Sequence, residues 1–201
     1  MRKGFGICCI ILGSCCLLSS LGLLLYNGWE EENAQNASQQ ILLDVREEIQ
    51  DNTGKKTGGE KSDWAGAAAM PAAQVDGYDC IGVLTIPVLN LELPVLADWS
   101  YAKLKVAPCH YFGSCYEENF VIAAHNYLSH FGSLSELQPK DLILFTDISG
   151  SVYGYEVVLL ETLPANATEE MITSGFDLSL YTCTPGGASR VTVRCSAVSD
   201  K

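Results

Sequence analysis

The run LSLYTCTPGGASRVTVRC, residues 178–195, sets Cys183 between a β-rich stretch and a Pro-Gly-Gly turn, with Arg190 seven residues further on. A thiol attacks a carbonyl as the thiolate. At an ordinary pKa of about 8.5 only a few per cent is ionised at neutral pH, so such a cysteine needs a proton partner. The chain has three histidines, His110, His125 and His130. His125 directly follows the apolar run FVIAA (120–124) and so stands at a strand end, where a rigid element presents it. His110 and His130 read as loop residues with nothing to fix them. Charge developing on a carbonyl oxygen needs donors, which backbone N–H groups around Cys183 to Gly187 and the Arg190 guanidinium would supply. Arg194 shares a face with Arg190 but lies some ~13 Å further along the strand, too far to reach Cys183. Each feature alone has a plainer reading: a structural histidine, an ordinary turn, a solvated arginine. Together they describe acyl transfer with Cys183 as nucleophile, His125 as acid and base, and Arg190 as the fixed cation.

The elements that must hold these residues are mostly strands. CIGVLTI (80–86) and LELPVL (91–96) are separated by Pro87, and FVIAA reads as a buried strand. DLILFTD (141–147) and VYGYEVVLLETL (152–163) predict a hairpin across ISGS with Gly150 in the turn. Asn166 followed by Glu169 predicts an N-capped short helix over TEEMI (168–172). LSLYTC and RVTVRCSAV are the last two strands. In the last one, alternation sets Val191, Val193, Cys195 and Ala197 on one face and Arg190, Thr192, Arg194 and Ser196 on the other, which sends Cys195 into the core. About seven strands with few helices predict a mainly β domain, a small closed barrel or a sandwich, between which periodicity does not choose.

The charge balance, 12 Lys+Arg against 24 Asp+Glu for a net −12, gives no basic footprint for nucleic acid. After Arg2 and Lys3 come about 22 uncharged residues, a helix of roughly 33 Å against a hydrocarbon layer of ~30 Å. A signal peptide begins in the same way. This run is longer than an ordinary signal core, however, and WEEEN follows it in place of a small-residue cleavage site, so an uncleaved anchor is expected. Basic residues before the span and Glu30, Glu31 and Glu32 after it predict a single-pass protein of the cell membrane, its N-terminus cytoplasmic and the remainder extracellular.

The expected organisation is therefore a cytoplasmic tip and transmembrane anchor at 1–29, a stalk or linker at 30–77 and an extracellular catalytic domain at 78–201. Within the stalk, Ile41, Val45 and Ile49 at four-residue spacing predict a short amphipathic helix over 38–50, followed by a flexible Gly- and Ala-rich stretch. Of nine cysteines, Cys8, Cys9, Cys15 and Cys16 fall in the apolar span as small packing residues. Cys80, Cys109, Cys115, Cys183 and Cys195 fall in the exported part, and an odd number leaves at least one thiol free. Cys109, His110 and Cys115 stand close together but lack a second ligand pair, and Glu117, Glu118 and Asp147 lack the spacing of a calcium loop. No metal or other cofactor is expected.

From about Tyr78 to Val198 the chain resembles the sortases, membrane-anchored cysteine transpeptidases of mainly Gram-positive bacteria. SLYTC (179–183) matches the family's TLxTC motif, with serine for its first threonine. Arg190 in CTPGGASR stands at the family's arginine, and AAHN (123–126) ends an earlier strand with the family's histidine. The resemblance implies an eight-stranded barrel with its site in a groove formed by strands. It implies that Cys183 attacks a backbone carbonyl inside a C-terminal sorting signal of the LPxTG kind, that His125 protonates the leaving amine, and that Arg190 stabilises the tetrahedral intermediates. Thr182 would shape the oxyanion site through its backbone or hydroxyl. An amine of a peptidoglycan cross-bridge or its lipid-linked precursor then resolves the thioester, which anchors a secreted protein to the cell wall. With no second apolar span after Val198 and no evident lid-like insertion before the first strand, the pilus-polymerising type is not expected. Two other readings stay open: a surface cysteine peptidase that hydrolyses the same acyl-enzyme, and a non-catalytic binding module in which Cys183 is structural. Papain-like proteases fit poorly, since their cysteine precedes the histidine and opens a helix.

Overall fold

The computed structural model describes residues 2–56 and 70–198, in two units, Met1–Asn33 and Ala34–Lys201. Helix α1 (Arg2–Lys56) forms the first unit and opens the second. In the first unit its apolar side chains stand bare, Ile10 71% and Leu17 73% exposed, and an 18-residue window of the helix reaches a mean hydropathy of 1.8. A helix apolar on all sides has no aqueous face, and this one is long and apolar enough to cross a membrane.

In the second unit, α1 continues past the short helix expected over 38–50 at both ends and packs against the strands. Ala34, Ser38, Ile41, Leu42 and Val45 recur every three or four residues and are buried. Ile41, Leu42 and Val45 pack with Val75, Cys80, Val83, Leu96, Ala107, Cys109 and Ile148. Arg46 donates from Nε to Glu92 Oε1 (2.8 Å), and Asn52 Nδ2 donates to the Ile148 carbonyl (3.2 Å). The Arg46–Glu92 pair is exposed and contributes at most about 1 kcal/mol. Burying Ile41 and Val45 contributes about 1.5–3 kcal/mol each, so the apolar stripe holds the helix. Ile41→Ala is accordingly expected to cost on the order of 3 kcal/mol in urea denaturation. Leu43→Ala, on the exposed side, should change stability by less than about 0.5 kcal/mol. The flexible stretch expected after this helix, and with it any lid before the first strand, falls mainly on residues 57–69, outside the described residues.

Nine strands follow: β1 (Ala73–Val75), β2 (Tyr78–Ile86), β3 (Leu91–Leu96), β4 (Cys109–Phe112), β5 (Phe120–Ala124), β6 (Leu142–Asp147), β7 (Val152–Pro164), β8 (Leu178–Cys183) and β9 (Ser189–Ala197). Their order is β1-β2-β3-β4-β5-β8-β9-β7-β6, and β6 pairs back with β2. The result is a closed ring of eight strands with β1 added outside it. Closure removes the open edges that a sandwich would leave, and it decides the choice that periodicity left open. Pairs are antiparallel except β3 with β4 and β5 with β8. Inward-facing Leu84, Ile86, Phe120, Ile122, Phe145, Leu180, Val193 and Cys195 fill the interior, Cys195 where alternation put it.

Strand β4 was not foreseen; CHYF is short and mixes polar with apolar residues. It makes His110 a strand residue, its ring nitrogens 3.1 and 2.8 Å from the carbonyls of Ala97 and Gly113. Helix α2 (Tyr101–Leu104) is capped by the Ser100 side chain, which accepts from the Lys103 N–H (3.2 Å). Helix α3 (Thr168–Ile172) covers the expected TEEMI, but Ala167 holds its cap position without a side-chain bond, so Asn166 does not cap it. Asp147 serves the β6–β7 hairpin. Its carboxylate accepts from Ser149 Oγ (2.6 Å), the Ser151 N–H (2.9 Å) and Tyr116 Oη (3.1 Å).

Candidate active site

Three neighbouring strands, β5, β8 and β9, bring distant residues to one place. Ala124 pairs with Thr182 in the parallel β5–β8 ladder, so His125, just past the end of β5, follows in register with Cys183, the last residue of β8. Cys183 pairs with Arg190 across the β8–β9 hairpin. Side chains alternate across a strand, so Tyr181 and Cys183 point outward while Leu180 and Thr182 point into the barrel. The Thr182 hydroxyl is buried and donates to the Ala124 carbonyl (2.9 Å). It clamps β8 to β5 on the face away from the Cys183 thiol, which leaves the backbone as its means of touching an oxyanion.

Cys183 is the partly exposed thiol of the barrel; Cys80, Cys109, Cys115 and Cys195 are buried, and these five are free thiols. Burial is the first cause that pushes each of those four thiols up to about 12, which keeps them protonated and unreactive. A thiol alkylator applied to the folded barrel is therefore expected to modify Cys183 alone among these five, which peptide mass mapping would read.

The turn between β8 and β9 commits two of its backbone donors. The Thr184 N–H donates to the Ser189 carbonyl (3.0 Å), the Gly187 N–H to the Thr184 carbonyl (2.7 Å), and Pro185 has no N–H. The charged donor beside Cys183 is thus Arg190. Its Nη1 donates to the carbonyls of Gly187 and Ser189, both at 3.0 Å. Those contacts hold the head on the turn while Nε and Nη2 remain for another acceptor. Gly187 at φ +75° and Gly186 at φ +83° adopt the left-handed backbone that brings the Gly187 carbonyl to the guanidinium.

The Asn126 N–H donates to His125 Nδ1 (3.0 Å), so Asn126 holds the ring at Nδ1 and leaves Nε2 facing outward from that contact. When the ring is doubly protonated, Nδ1–H has the Asn126 Oδ1 at 2.9 Å to donate to. No hydrogen bond joins His125 to Cys183 among the described residues. A cleft of about 190 Å³ opens beside Cys183 and Arg190, lined also by Trp99, Tyr111, Tyr181, Ala167 and Met171. A larger hollow of about 570 Å³, lined by Cys115 and Val198, lies at the opposite end of β9.

Arg194 shares the outer face with Arg190, as alternation predicts, but it is 2% exposed. Its guanidinium donates to Glu161 Oε1 (2.7 Å), Ser179 Oγ (2.9 Å) and the Glu170 carbonyl (2.8 Å). It pins the α3 segment against β7 and β8. His130 departs further from expectation. It is fully buried, and burial with the charge of nearby His125 lowers its pKa to about 4, outweighing a backbone contact from Val106. Asn126 and Tyr127 are contributors that residue types alone did not single out. Asn126 entered only as part of AAHN, and Tyr127 not at all.

The eight-stranded barrel thus carries a thiol, an imidazole and a guanidinium at adjacent strand ends. The chain belongs to the sortase family: the sortase domain matches residues 84–198, more than half of its length. It is thus a sortase-type cysteine transpeptidase. Solved sortases share the fold. Sortase C1 of Streptococcus suis is 25% identical, over 61% of this chain and 74% of that one, with a TM-score of 0.53. The sortase D5 transpeptidase of Clostridium perfringens is 18% identical over 82% and 99%, with a TM-score of 0.60. Sortase C of Clostridium perfringens, solved with the C-terminal cell wall sorting motif, is 19% identical over 81% and 89%, with a TM-score of 0.55. No curated protein matches the chain.

Proposed function

We propose that this protein is a membrane-anchored sortase that cleaves a C-terminal sorting signal of the LPxTG kind and joins the released carbonyl to a cell-wall amine. The reading rests on the meeting of Cys183, His125 and Arg190 at three adjacent strand ends. The Cys183 thiolate adds to the scissile carbonyl, and Arg190 donates to the oxygen as it gains charge. The proton on His125 passes to the leaving amine, the C–N bond breaks, and a thioester remains on Cys183. An incoming amine, from a peptidoglycan cross-bridge or its lipid-linked precursor, attacks the thioester, gives its proton back to His125 and expels the thiolate. The sortase solved with a sorting motif supports the substrate class, a secreted protein bearing such a signal. Residues 1–29 act as the anchor with the N-terminus in the cytoplasm. Residues 30–77 connect it to the extracellular catalytic domain at 78–201, with 34–56 packed on that domain.

Intact-mass analysis with a pool of sorting-signal peptides, with and without a small amine, tests this. The expected result is a peptide thioester on Cys183 that converts to an amine-linked product and is absent in Cys183→Ala. An adduct that only hydrolyses, whatever amine is supplied, would support the surface peptidase instead. A Cys183 inert to both peptide and alkylator would turn the reading to a binding module.

A further inference from the structure

The loop after β5 folds back under His125. The His130 and Gly132 N–H groups both donate to the Tyr127 carbonyl (2.9 and 2.8 Å), and the Phe131 N–H donates to the His125 carbonyl (3.2 Å). Gly132 is required by this approach: a Cβ there would lie 2.8 Å from the Tyr127 carbonyl oxygen and 2.9 Å from that of Asn126. The fold-back lays the Tyr127 ring flat against the His125 imidazole, centroids 4.2 Å apart and planes 5° from parallel. His130 meets the Tyr127 ring at 5.5 Å and 60°. Tyr127 is 9% exposed and His130 fully buried, so the outer ring of the stack is His125 and the inner two are fixed in protein.

We infer that Tyr127 is a positioning residue for the reaction proposed above, a platform that sets the plane of the His125 ring, with His130 backing it from inside. Asn126 fixes Nδ1, but a ring held at one atom can still rock about that contact. A parallel neighbour removes the rocking and aims Nε2 along one line at the strand end beside Cys183. The platform also suits the moment when His125 holds two protons, because an aromatic face attracts a cation. A displacement of about 1 Å in such a group can cost roughly 10²-fold in rate, which sets the scale of the effect.

The test uses the full chain in detergent with isotope-labelled histidine, whose three ring signals can be assigned by single replacement. In the wild-type chain the ring protons of His125 should resonate upfield of their unstacked position, because they lie over the Tyr127 face. Tyr127→Leu should abolish that displacement and lower kcat about 10- to 100-fold with KM nearly unchanged. Tyr127→Phe, which keeps the ring and loses only the hydroxyl, should restore both. Wild-type His125 signals at their unstacked position would overturn the inference without any variant. So would a leucine variant with wild-type kcat, or a phenylalanine variant as slow as the leucine one. The resonance positions need no turnover, so a stacked His125 in a chain that forms no thioester would sink the proposed reaction and leave the platform standing.

Discussion

Arg190→Ala is expected to lower transpeptidation by about 10²–10³-fold or more while leaving the unfolding midpoint nearly unchanged, and Arg194→Ala is expected to do the reverse. The two arginines share one face of β9, four residues apart, yet their surroundings differ. Arg190 stands beside Cys183 with its head resting on two turn carbonyls, and among the described residues it has no carboxylate partner. Removing it takes a charge away from where a carbonyl oxygen gains one and disturbs little of the packing. Arg194 is enclosed, and its loss strands the buried Ser179 hydroxyl and the α3 carbonyls it serves. Glu161 is partly exposed and regains water, which keeps the cost on the order of 3 kcal/mol rather than higher. Urea titration and steady-state kinetics on both variants separate the two roles. A stable, inactive Arg194→Ala beside an active Arg190→Ala would exchange the assignments.

Acid is expected to weaken the barrel through His130. Its ring in the fold titrates at about 4, against the ordinary 6.5 of an unfolded chain. Above pH 6.5 neither state holds the proton, and the full stability is present. Between 6.5 and 4 the unfolded chain takes up a proton that the folded ring refuses, so stability falls with pH; below 4 the loss levels off. The difference corresponds to on the order of 3 kcal/mol. Acid also protonates carboxylates, whose ordinary values lie near the lower end of this range, so the comparison that matters is wild type against His130→Phe. Denaturation at pH 7, 5.5 and 4.5 should show the gap between them moving in favour of the variant as pH drops. A gap constant with pH would mean that His130 titrates in the fold as it does in the unfolded chain.

The two short motifs around the site were legible because they are local. A cysteine, a Pro-Gly-Gly turn and an arginine describe one hairpin, and alternation within nine residues was enough to send Cys195 inward and Arg190 outward. The histidine's strand end was legible for the same reason. The parallel pairing of β5 with β8 was not, since it joins residues 58 positions apart, as the Ala124–Thr182 register shows, and no spacing encodes it. The helix over 34–56 showed its four-residue stripe, but its length and the surface it covers depend on strands that come later in the chain. Alternation gave Arg194 a face but not its burial, and His130 was misread as a loop residue with nothing to fix it, because a polar side chain shows no cover in the sequence until something folds over it. Here the α3 segment covers the first, and the fold-back at Gly132 encloses the second. Asn166 had the right spacing for a helix cap and was passed over in favour of Ala167, which shows how little a three-residue pattern weighs against the path of the loop.

The ring of eight strands also fixes when this chemistry can come into being. Its closing pair joins Gly82 to Asp147, and the thiol meets its imidazole only after strands far apart in sequence have found each other. Topologies made of such distant pairings fold slowly, because loop entropy is lost before the contacts that offset it are made. A chain still open therefore holds Cys183 without the imidazole beside it, although the local β8–β9 hairpin already sets Arg190 across from it. The pairing of β5 with β8 is thus a condition of the proposed chemistry, not only of the fold.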